Sequence, residues 1–271
     1  MRKTLLLGIA IVMLLFNFSG CMGECANKSE GEEDNSLEKV LKSGVLVLGL
    51  DEGYPPMGFR NDAGEICGFD IDVAEEVCRR MGICLVTKSI NWDTKEEELD
   101  NGIIDCIWNG MSVTPEREKT MALSEPYMKN ELIFVVPGDS EAKANHDLVG
   151  KTVGIQAGSS VEDVIANNSY CQDMKVSPYE ENLTLLKELR QGHMDAALID
   201  SIVAYYFIFS SDEKYYVLPN SLSEEECAIG FRKNDLALRD RVQEIIHEMK
   251  ADGSLGKIST KWFGADITIV R

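Results

Sequence analysis

The sequence lacks the residue patterns that usually bind a structural metal ion. None of its eight cysteines forms a Cys-x-x-Cys pair, and its three histidines, His146, His193 and His247, are scattered away from any pair of cysteines. Structural zinc sites take their ligands from closely spaced groups of this kind. The sequence therefore predicts no metal site, and nothing in it calls for a cofactor.

Basic residues are few relative to acidic ones. The 271-residue chain holds 27 lysines and arginines against 46 aspartates and glutamates, which gives a formal charge of -19 at pH 7. Proteins that bind nucleic acid normally present a basic patch to the phosphates, so we expect no nucleic-acid partner. An acidic surface also opposes direct contact with anionic lipid. Attachment to a membrane would therefore depend on a lipid anchor.

The chain also lacks an apolar run of the about 20 residues that a membrane-spanning helix needs. It begins with a shorter run, Leu5–Phe16, which follows the basic residues Arg2 and Lys3 and precedes small residues. This order is typical of a secretory signal peptide. We predict that residues 1–20 are such a signal, so the mature protein works outside the cytoplasm.

A cysteine follows the predicted signal directly. The tripeptide Ser19-Gly20-Cys21 resembles a bacterial lipobox, in which Cys21 becomes the first mature residue and carries lipid on its sulfur. The alternative is a plain signal peptide with an incidental cysteine. Residues 21–36 are polar and acidic, and this composition predicts a flexible tether between the lipid anchor and the folded part.

From Leu37 onward, short apolar runs alternate with segments of helical spacing. The predicted strands are 45–50, 85–90, 103–108, 132–137, 152–155, 196–199 and 227–231. The predicted helices are 71–81, 94–100, a turn from Thr114, a segment from Val161, a segment with Leu183, Leu186 and Leu189, 201–209, and a long helix with Leu238 to Met249. Residues 255–262 close the fold. This alternation predicts an α/β fold with mainly parallel sheets flanked by helices, and its two rounds predict two lobes.

Helix starts are predicted from capping residues. Thr114 followed by Pro115 is a typical N-cap and first helical residue. Asp70 is placed to cap the helix at 71–81, and Ser159 with Glu162 fits a capping box.

In open α/β sheets, ligands bind beyond the carboxyl ends of the strands. The candidate ligand contacts at or near these ends are Asp51, Tyr54, Trp92, Gly110, Met111, Ser112, Arg117, Gln156, Ser159, Ser160 and Asp200. Arg117 offers a planar fork of donors that matches a carboxylate. The Ser112 hydroxyl and the amides at 159–160 can add donors to the same anion.

The remaining candidates suit the other parts of an α-amino acid. Asp200 can accept from an ammonium group, and Tyr54 and Trp92 offer flat walls for a side chain. Asp51 can accept from a polar or basic group at the far end of that side chain. Each residue alone has a structural reading as well: an ion pair for Arg117, core packing for Trp92, and turns or caps for the aspartates. The prediction depends on their joint placement after strands.

Several segments of the chain together resemble the type II periplasmic binding proteins, and within them the polar amino-acid group that includes histidine, lysine-arginine-ornithine and glutamine binders. The segments are 51–59 (DEGYPPMGF), 68–72 (GFDID), 105–117 (DCIWNGMSVTPER), 124–127 (SEPY), 153–160 (VGIQAGSS) and 194–200 (MDAALID). The similarity extends from about Leu37 to Phe263.

The resemblance implies a first lobe of residues 37–128 and 229–271 and a second lobe of residues 129–228. Two crossing hinge strands, near 126–131 and 223–229, would join them.

The resemblance also assigns roles to the matched positions. Arg117, Ser112 and Ser160 would hold the ligand carboxylate, and Asp200 with the Gly110 carbonyl would hold the amino group. Asp51, Tyr54 and Trp92 would line the side-chain pocket. Trp92 stands where several relatives have Phe, and Gln156 stands where relatives vary. A disulfide between Cys78 and Cys84 is implied as well.

These implications give an amino-acid-binding lipoprotein of an ATP-driven importer. We expect it to be a monomer that captures a basic amino acid or glutamine by lobe closure and delivers it to the membrane-spanning permease subunits. An acidic ligand would meet Asp51 and Glu52 and is disfavoured. Two alternatives stay open. One is an enzyme on the same fold, such as a cyclohexadienyl dehydratase with Glu52 as its acid. The other is a sensory ligand-binding module.

Overall fold

The computed structural model describes residues 34–169, 171–210 and 214–271. The predicted signal peptide, Cys21 and residues 21–33 of the predicted tether lie outside these ranges. Ser36, the last residue of the predicted tether, is the first residue of helix α1 (Ser36–Ser43). Its hydroxyl accepts a hydrogen bond from the Leu238 amide at 3.1 Å. The Asp34 carboxylate likewise accepts from the Ala237 amide at 2.6 Å, so the folded part begins by Asp34.

The first sheet combines parallel and antiparallel strands. Its strands, in order across the sheet, are β5 (Cys84–Ser89), β1 (Val45–Leu50), β6 (Cys106–Ile107), β14 (Gly230–Arg232) and β7 (Met121–Leu123). β1 is parallel to both β5 and β6, whereas β14 is antiparallel to β6 and β7. The helices of this half are α1, α2 (Phe69–Met81), α3 (Lys95–Asp100), α4 (Pro115–Thr120), α8 (Leu236–Ala251) and α9 (Ser254–Phe263).

The second sheet has the same plan. Its order is β10 (Lys175–Tyr179), β9 (Thr152–Gln156), β11 (Ala196–Asp200), β8 (Met128–Pro137) and β12 (Tyr215–Val217), and β13 (Ser223–Cys227) also pairs with β8. β9, β10 and β11 are parallel, and β8 is antiparallel to its three neighbours. The accompanying helices are α5 (Val161–Asn167), α6 (Asn182–Arg190) and α7 (Ser201–Ser210).

A small three-stranded sheet accompanies the first. Its strands are β2 (Gly53–Tyr54), β3 (Gly58–Arg60) and β4 (Ile66–Cys67).

Both faces of the second sheet are buried. Along β8, Leu132, Phe134 and Val136 belong to one apolar cluster, whereas Ile133 and Val135 belong to another. Successive side chains of a strand point to opposite faces, so a strand covered on both sides is apolar throughout. This is why the segment reads as a continuous apolar run.

Two antiparallel strands connect the regions of the two sheets. β8 and β13 pair from Met128↔Cys227 to Leu132↔Ser223. The Tyr127 amide, just before β8, donates to the Cys227 carbonyl at 2.9 Å. Beyond Cys227 the chain enters β14 of the first sheet. The two-lobed architecture with two crossing strands predicted above is confirmed, whereas the lobe boundaries stay predictions.

Several predicted elements differ in detail. The strand predicted at 227–231 is two strands in two different sheets, β13 and β14, and the strand predicted at 103–108 is reduced to Cys106–Ile107. The predicted caps at Asp70 and Ser159 are wrong. Gly68 is the N-cap of α2 and Ser160 that of α5, and neither makes a side-chain capping bond. Thr114 does cap α4, because its hydroxyl accepts from the Arg117 amide at 3.2 Å.

The disulfide expected between Cys78 and Cys84 is not formed in the structure, where both are free thiols. Cys78 lies on α2 and is 1% exposed within the core, whereas Cys84 is an exposed residue that begins β5. Burial raises the pKa of Cys78 to about 12, and the neighbouring Cys84 makes a smaller contribution to the rise.

Within the described ranges, no helix is both long enough and apolar enough to cross a membrane.

Candidate functional site

The predicted contacts converge where the carboxyl ends of β1, β6, β9 and β11 meet. Almost all of them are buried. Hydrogen bonds join residues from the region of the first sheet to residues from the region of the second. The geometry therefore defines a polar cleft region between the two halves.

Arg117 is a buried cation without a carboxylate partner. It lies in the first turn of α4 and is 6% exposed. Its guanidinium donates to the Ser112 carbonyl at 2.7 Å and to the Gly158 carbonyl at 3.2 Å. No carboxylate of a described residue lies within ion-pair distance of it, and burial lowers its pKa. A buried positive charge without an ionic partner would be stabilised by a bound anion.

Asp200 is a buried carboxylate without a cationic partner. It ends β11 and is 8% exposed. Tyr54 and Asn130 donate hydrogen bonds to it. Burial, reinforced by the negative charge of Glu225, raises the pKa of Asp200 to about 7. No described lysine or arginine forms an ion pair with it. This end of the cleft is therefore suited to a cationic group.

Asp51 occupies a third polar position, at the end of β1. Its carboxylate accepts from the Gly53 amide at 2.7 Å and from the Gln156 side-chain amide at 2.6 Å. Burial raises the pKa of Asp51 to about 6, and the nearby carboxylates of Glu181 and Glu52 contribute to the rise. Like Asp200, Asp51 is held by neutral donors where a cation would interact more strongly.

Gln156 is fixed from the side of the second sheet. Its amide nitrogen also donates to the Glu180 carbonyl at 3.1 Å, and its amide oxygen accepts from the Asn182 side chain at 2.7 Å. These bonds orient its amide group, so the nitrogen faces Asp51.

The loop after β6 borders the site mainly through its backbone. Gly110 has φ +60, and a Cβ there would lie 2.8 Å from the Tyr54 ring, so only glycine fits. Its amide donates to Asp70 Oδ2 at 2.7 Å. The Met111 side chain is fully buried in an apolar cluster and approaches Gly230 of β14. The Met111 side chain is therefore not available as a ligand contact, and its carbonyl accepts from the Ala228 amide at 2.9 Å.

The predicted serines differ in their availability. The Ser112 hydroxyl donates to Glu225 Oε2 at 2.6 Å, and the Ser159 hydroxyl donates to the Gln156 carbonyl at 2.7 Å. The Ser160 hydroxyl makes no hydrogen bond to any residue that the structure describes, and Ser160 is 6% exposed. Ser160 therefore has the free donor among the three.

Trp92 is part of the core in this structure. It is 7% exposed and belongs to a cluster with Ile90, Leu99 and Ile104. Its carbonyl would lie 3.2 Å from a Cβ built on Gly158. Trp92 therefore packs in the core, as its structural alternative expected, whether or not it also forms a wall of the ligand pocket.

Four further residues of the site escaped prediction. Asn130 and Glu225 face each other in the β8–β13 register, and the Asn130 amide donates to both Asp200 and Glu225. The signal for Asn130 was a polar residue at an inward position of an alternating strand.

Asp70, read only as a cap, is fully buried and accepts from Gly110 and from the Tyr127 hydroxyl. Lys95, in a segment that reads as an exposed polar helix, is 4% exposed.

The fold is that of the type II periplasmic binding proteins, as its likeness to solved structures shows. The crystal structure of an ABC uptake transporter substrate-binding protein from Streptococcus pneumoniae with bound histidine matches with a TM-score of 0.85 and 36% identity, over 88% of this chain and all of that chain. The crystal structure of Tv2483 bound to L-arginine matches with a TM-score of 0.84 and 30% identity, over 88% of this chain and 98% of that one.

The family follows from the sequence. Residues 46–265 match the model of the bacterial extracellular solute-binding proteins, family 3, and the chain belongs to that family. The L-cystine-binding protein TcyJ of Escherichia coli is 32% identical over 238 residues, which cover 87% of this chain and 89% of that protein. The resemblance recognised in the motifs is confirmed.

Proposed function

We propose that this protein captures a free α-amino acid between its two lobes and delivers it to the permease of an ABC importer. One observation carries the proposal: a buried guanidinium without an anion, Arg117, and a buried carboxylate without a cation, Asp200, lie in one cleft region on opposite lobes. A zwitterion would satisfy both charges at once. Contacts to both lobes would favour the closed conformation.

The ligand carboxylate is assigned to Arg117, with donors from Ser112 and Ser160. The ligand amino group is assigned to Asp200 and the Gly110 carbonyl. Because the Ser112 hydroxyl already donates to Glu225, Ser160 is the better placed of the two hydroxyls.

The ligand side chain is assigned to the region of Asp51, Tyr54, Trp92 and Gln156. The carboxylates of Glu181 and Glu52 lie close enough to contribute to the raised pKa of Asp51. This charge favours a basic side chain and disfavours an acidic one. The Gln156 amide adds polar capacity, which also suits glutamine. We therefore propose a basic amino acid or glutamine as the ligand.

A thermal-shift screen with the twenty amino acids and L-cystine tests this proposal. A ligand that binds only the folded state raises the melting temperature by mass action. We expect the largest rise with arginine, lysine, histidine or glutamine. The largest rise with glutamate or an aliphatic amino acid would overturn the pocket assignment. The absence of any rise, repeated by calorimetry, would overturn the proposed function.

We propose binding without covalent chemistry. A dehydratase needs a general acid in the cleft, and Glu52 is the residue suggested by the sequence. Both Glu52 carboxylate oxygens accept hydrogen bonds from Arg60, at 2.6 and 2.7 Å. This arrangement serves ion pairing better than proton delivery. Formation of an aromatic product from prephenate would contradict this view.

We also propose that the protein is a monomer held at the outer face of the cell membrane, or in the periplasm, by lipid on Cys21. The lipobox-like sequence and the acidic segment behind it support this. Metabolic labelling with a radioactive fatty acid should label the natural protein and not the Cys21→Ser variant. Equal labelling of both would exclude Cys21 as the lipid site.

A further inference from the structure

Lys95 is a second buried cation beside Arg117. It is the first residue of α3 and lies three residues after Trp92. Its side chain is 4% exposed, and no described carboxylate lies within ion-pair distance. A buried lysine without an anionic partner is unusual, and its position therefore calls for an explanation.

The Lys95 ammonium spans the cleft between the lobes. Its Nζ atom donates to the Trp92 carbonyl of its own lobe at 3.0 Å and to the Gly158 carbonyl of the other lobe at 2.9 Å. It also lies 5.3 Å from the centre of the Trp92 ring. The first bond fixes the ammonium in place. The second bond can exist only while the lobes are together.

Gly158 lies where the two lobes are in close contact. A Cβ atom on this residue would lie 2.7 Å from Asp93 Cα and 3.0 Å from Asp93 Oδ1. The absence of a side chain brings the Gly158 carbonyl within reach of Lys95 and of Arg117. Two cations from one lobe therefore share a single neutral acceptor from the other.

Ligand binding would change how Lys95 and Arg117 share the Gly158 carbonyl. Burial lowers the pKa of Lys95 to about 8, and the like charge of Arg117 contributes to the lowering. A ligand carboxylate on Arg117 would neutralise that charge, relieve the repulsion, and leave the Gly158 carbonyl to Lys95. The bond across the cleft would then be strongest when a ligand is present.

We propose that Lys95 is a closure latch: a positioning residue that does not contact the ligand and slows its release by bonding the Gly158 carbonyl in the closed form. This inference rests on the proposed function. It assigns Lys95 an effect on the dissociation rate rather than on ligand encounter, because the bond forms only after closure.

The test compares Lys95→Met with a matched control, Lys119→Met. Lys119 lies on α4 close to Arg117, but its side chain is 73% exposed. The probe is the tightest binder among the twenty amino acids and L-cystine, followed by stopped-flow fluorescence. For Lys95→Met we expect the dissociation rate to rise about ten- to hundredfold, because the closed form loses one hydrogen bond from a charged donor. The association rate and the ligand-free melting temperature should stay close to those of the natural protein, and the control should match it throughout.

Other outcomes would overturn the latch. An unchanged or slower dissociation rate in Lys95→Met would remove the latch and leave the proposed function standing. A faster rate seen with the amino acid but not with its α-carboxamide would place Lys95 on the ligand instead. Failure of the natural protein to bind any probe would overturn the proposed function, and the latch with it.

A second variant covers the possibility that Lys95→Met is poorly folded. Lys95→Arg keeps a cation that can reach the carbonyl, so its dissociation rate should stay within about threefold of the natural one. A rate as fast as that of a neutral variant such as Lys95→Gln would show that the charge at this position does not hold the lobes together.

Discussion

The two ends of the candidate site carry opposite charges but follow the same rule. At one end, Arg117 and Lys95 donate to backbone carbonyls. At the other end, Asp200 and Asp51 accept from amide and hydroxyl groups. In neither case does a described residue of opposite charge complete an ion pair. Neutral dipoles keep the charged groups oriented without neutralising them.

This similarity explains how the site can be both stable and receptive. A buried charge costs less when dipoles solvate it, so the fold tolerates these groups. An internal ion pair would satisfy them more fully, but a ligand would then have to break it. Dipolar partners are weaker competitors, and the opposite charges of a zwitterion can replace them.

The two ends differ in whether their charged residues gain or lose a proton near neutral pH. Arg117 stays charged at any ordinary pH. By contrast, burial raises the pKa of Asp200 to about 7 and that of Asp51 to about 6. Asp200 and Asp51 should therefore respond to pH at and below neutrality, whereas Arg117 should not. The pKa of Lys95, lowered to about 8, places the response of that residue above neutrality. The following predictions test this contrast, beginning with the largest effect.

Removal of the guanidinium should have the largest effect. In Arg117→Met, a ligand carboxylate would be buried without its charged partner, which costs at least about 2 kcal/mol of binding free energy. Isothermal titration calorimetry with the ligand found by thermal shift measures the loss. Arg239→Met, at a partly exposed arginine of α8, is the control and should bind normally. Unchanged affinity in Arg117→Met would show that the carboxylate binds elsewhere.

The acidic end should make binding depend on pH. A ligand ammonium favours the ionised form of Asp200, so its pKa falls on binding. Between about pH 7 and pH 8 the ionisation of Asp200 should cost little affinity, and below about pH 7 affinity should fall by up to about tenfold per pH unit for this one group. Asp51 adds a further decrease below about pH 6 if the ligand side chain is cationic. Calorimetry in two buffers of different ionisation enthalpy at pH 6.5 should detect proton release.

Variants separate this effect from a general response to acid. Asp200→Asn should bind more weakly at pH 8 and lose most of the decrease between pH 8 and pH 6. Asp173→Asn, at an exposed residue of the second lobe, should keep the natural profile. An Asp200→Asn variant with the natural pH profile would exclude Asp200 as the group that titrates.

The sequence predicted the scaffold of the site better than its hydrogen bonds. The strand Val45–Leu50 was predicted with its observed bounds, and the predicted apolar face of α8 is the buried one. Both signals are local, since they arise from the spacing of apolar residues along one element. Thr114 was predicted as a cap for the same reason, because a cap depends on neighbours within one turn.

The errors arose where distant residues decide the outcome. Asp70 resembled a cap, but its carboxylate is taken by Gly110 and by Tyr127, which is 57 residues away. Lys95 resembled a surface residue, because its acceptor on the other lobe lies 63 residues further along the chain. Capping and periodicity rules consider one turn of helix at a time. They cannot show which segment a fold will bring against it.

The smallest expected effect concerns the backbone carbonyl that both cations share. Gly158→Ala should weaken binding by about 1–2 kcal/mol, because the new methyl group would meet the backbone of Asp93 at 2.7 Å and hold the lobes apart. Gly150→Ala is the matched control. Gly150 also has a positive φ, +76 against +66, but a Cβ there has nothing within 4 Å.

The pair of glycine variants separates backbone strain from lobe contact. Both substitutions strain a left-handed residue and should lower the ligand-free melting temperature by similar amounts. Only Gly158→Ala should also raise the ligand dissociation rate. Equal ligand affinity in the two variants would mean that Lys95 and Arg117 do not depend on the Gly158 carbonyl to hold the opposite lobe. The contrast between the two ends of the site would then depend on the ligand alone.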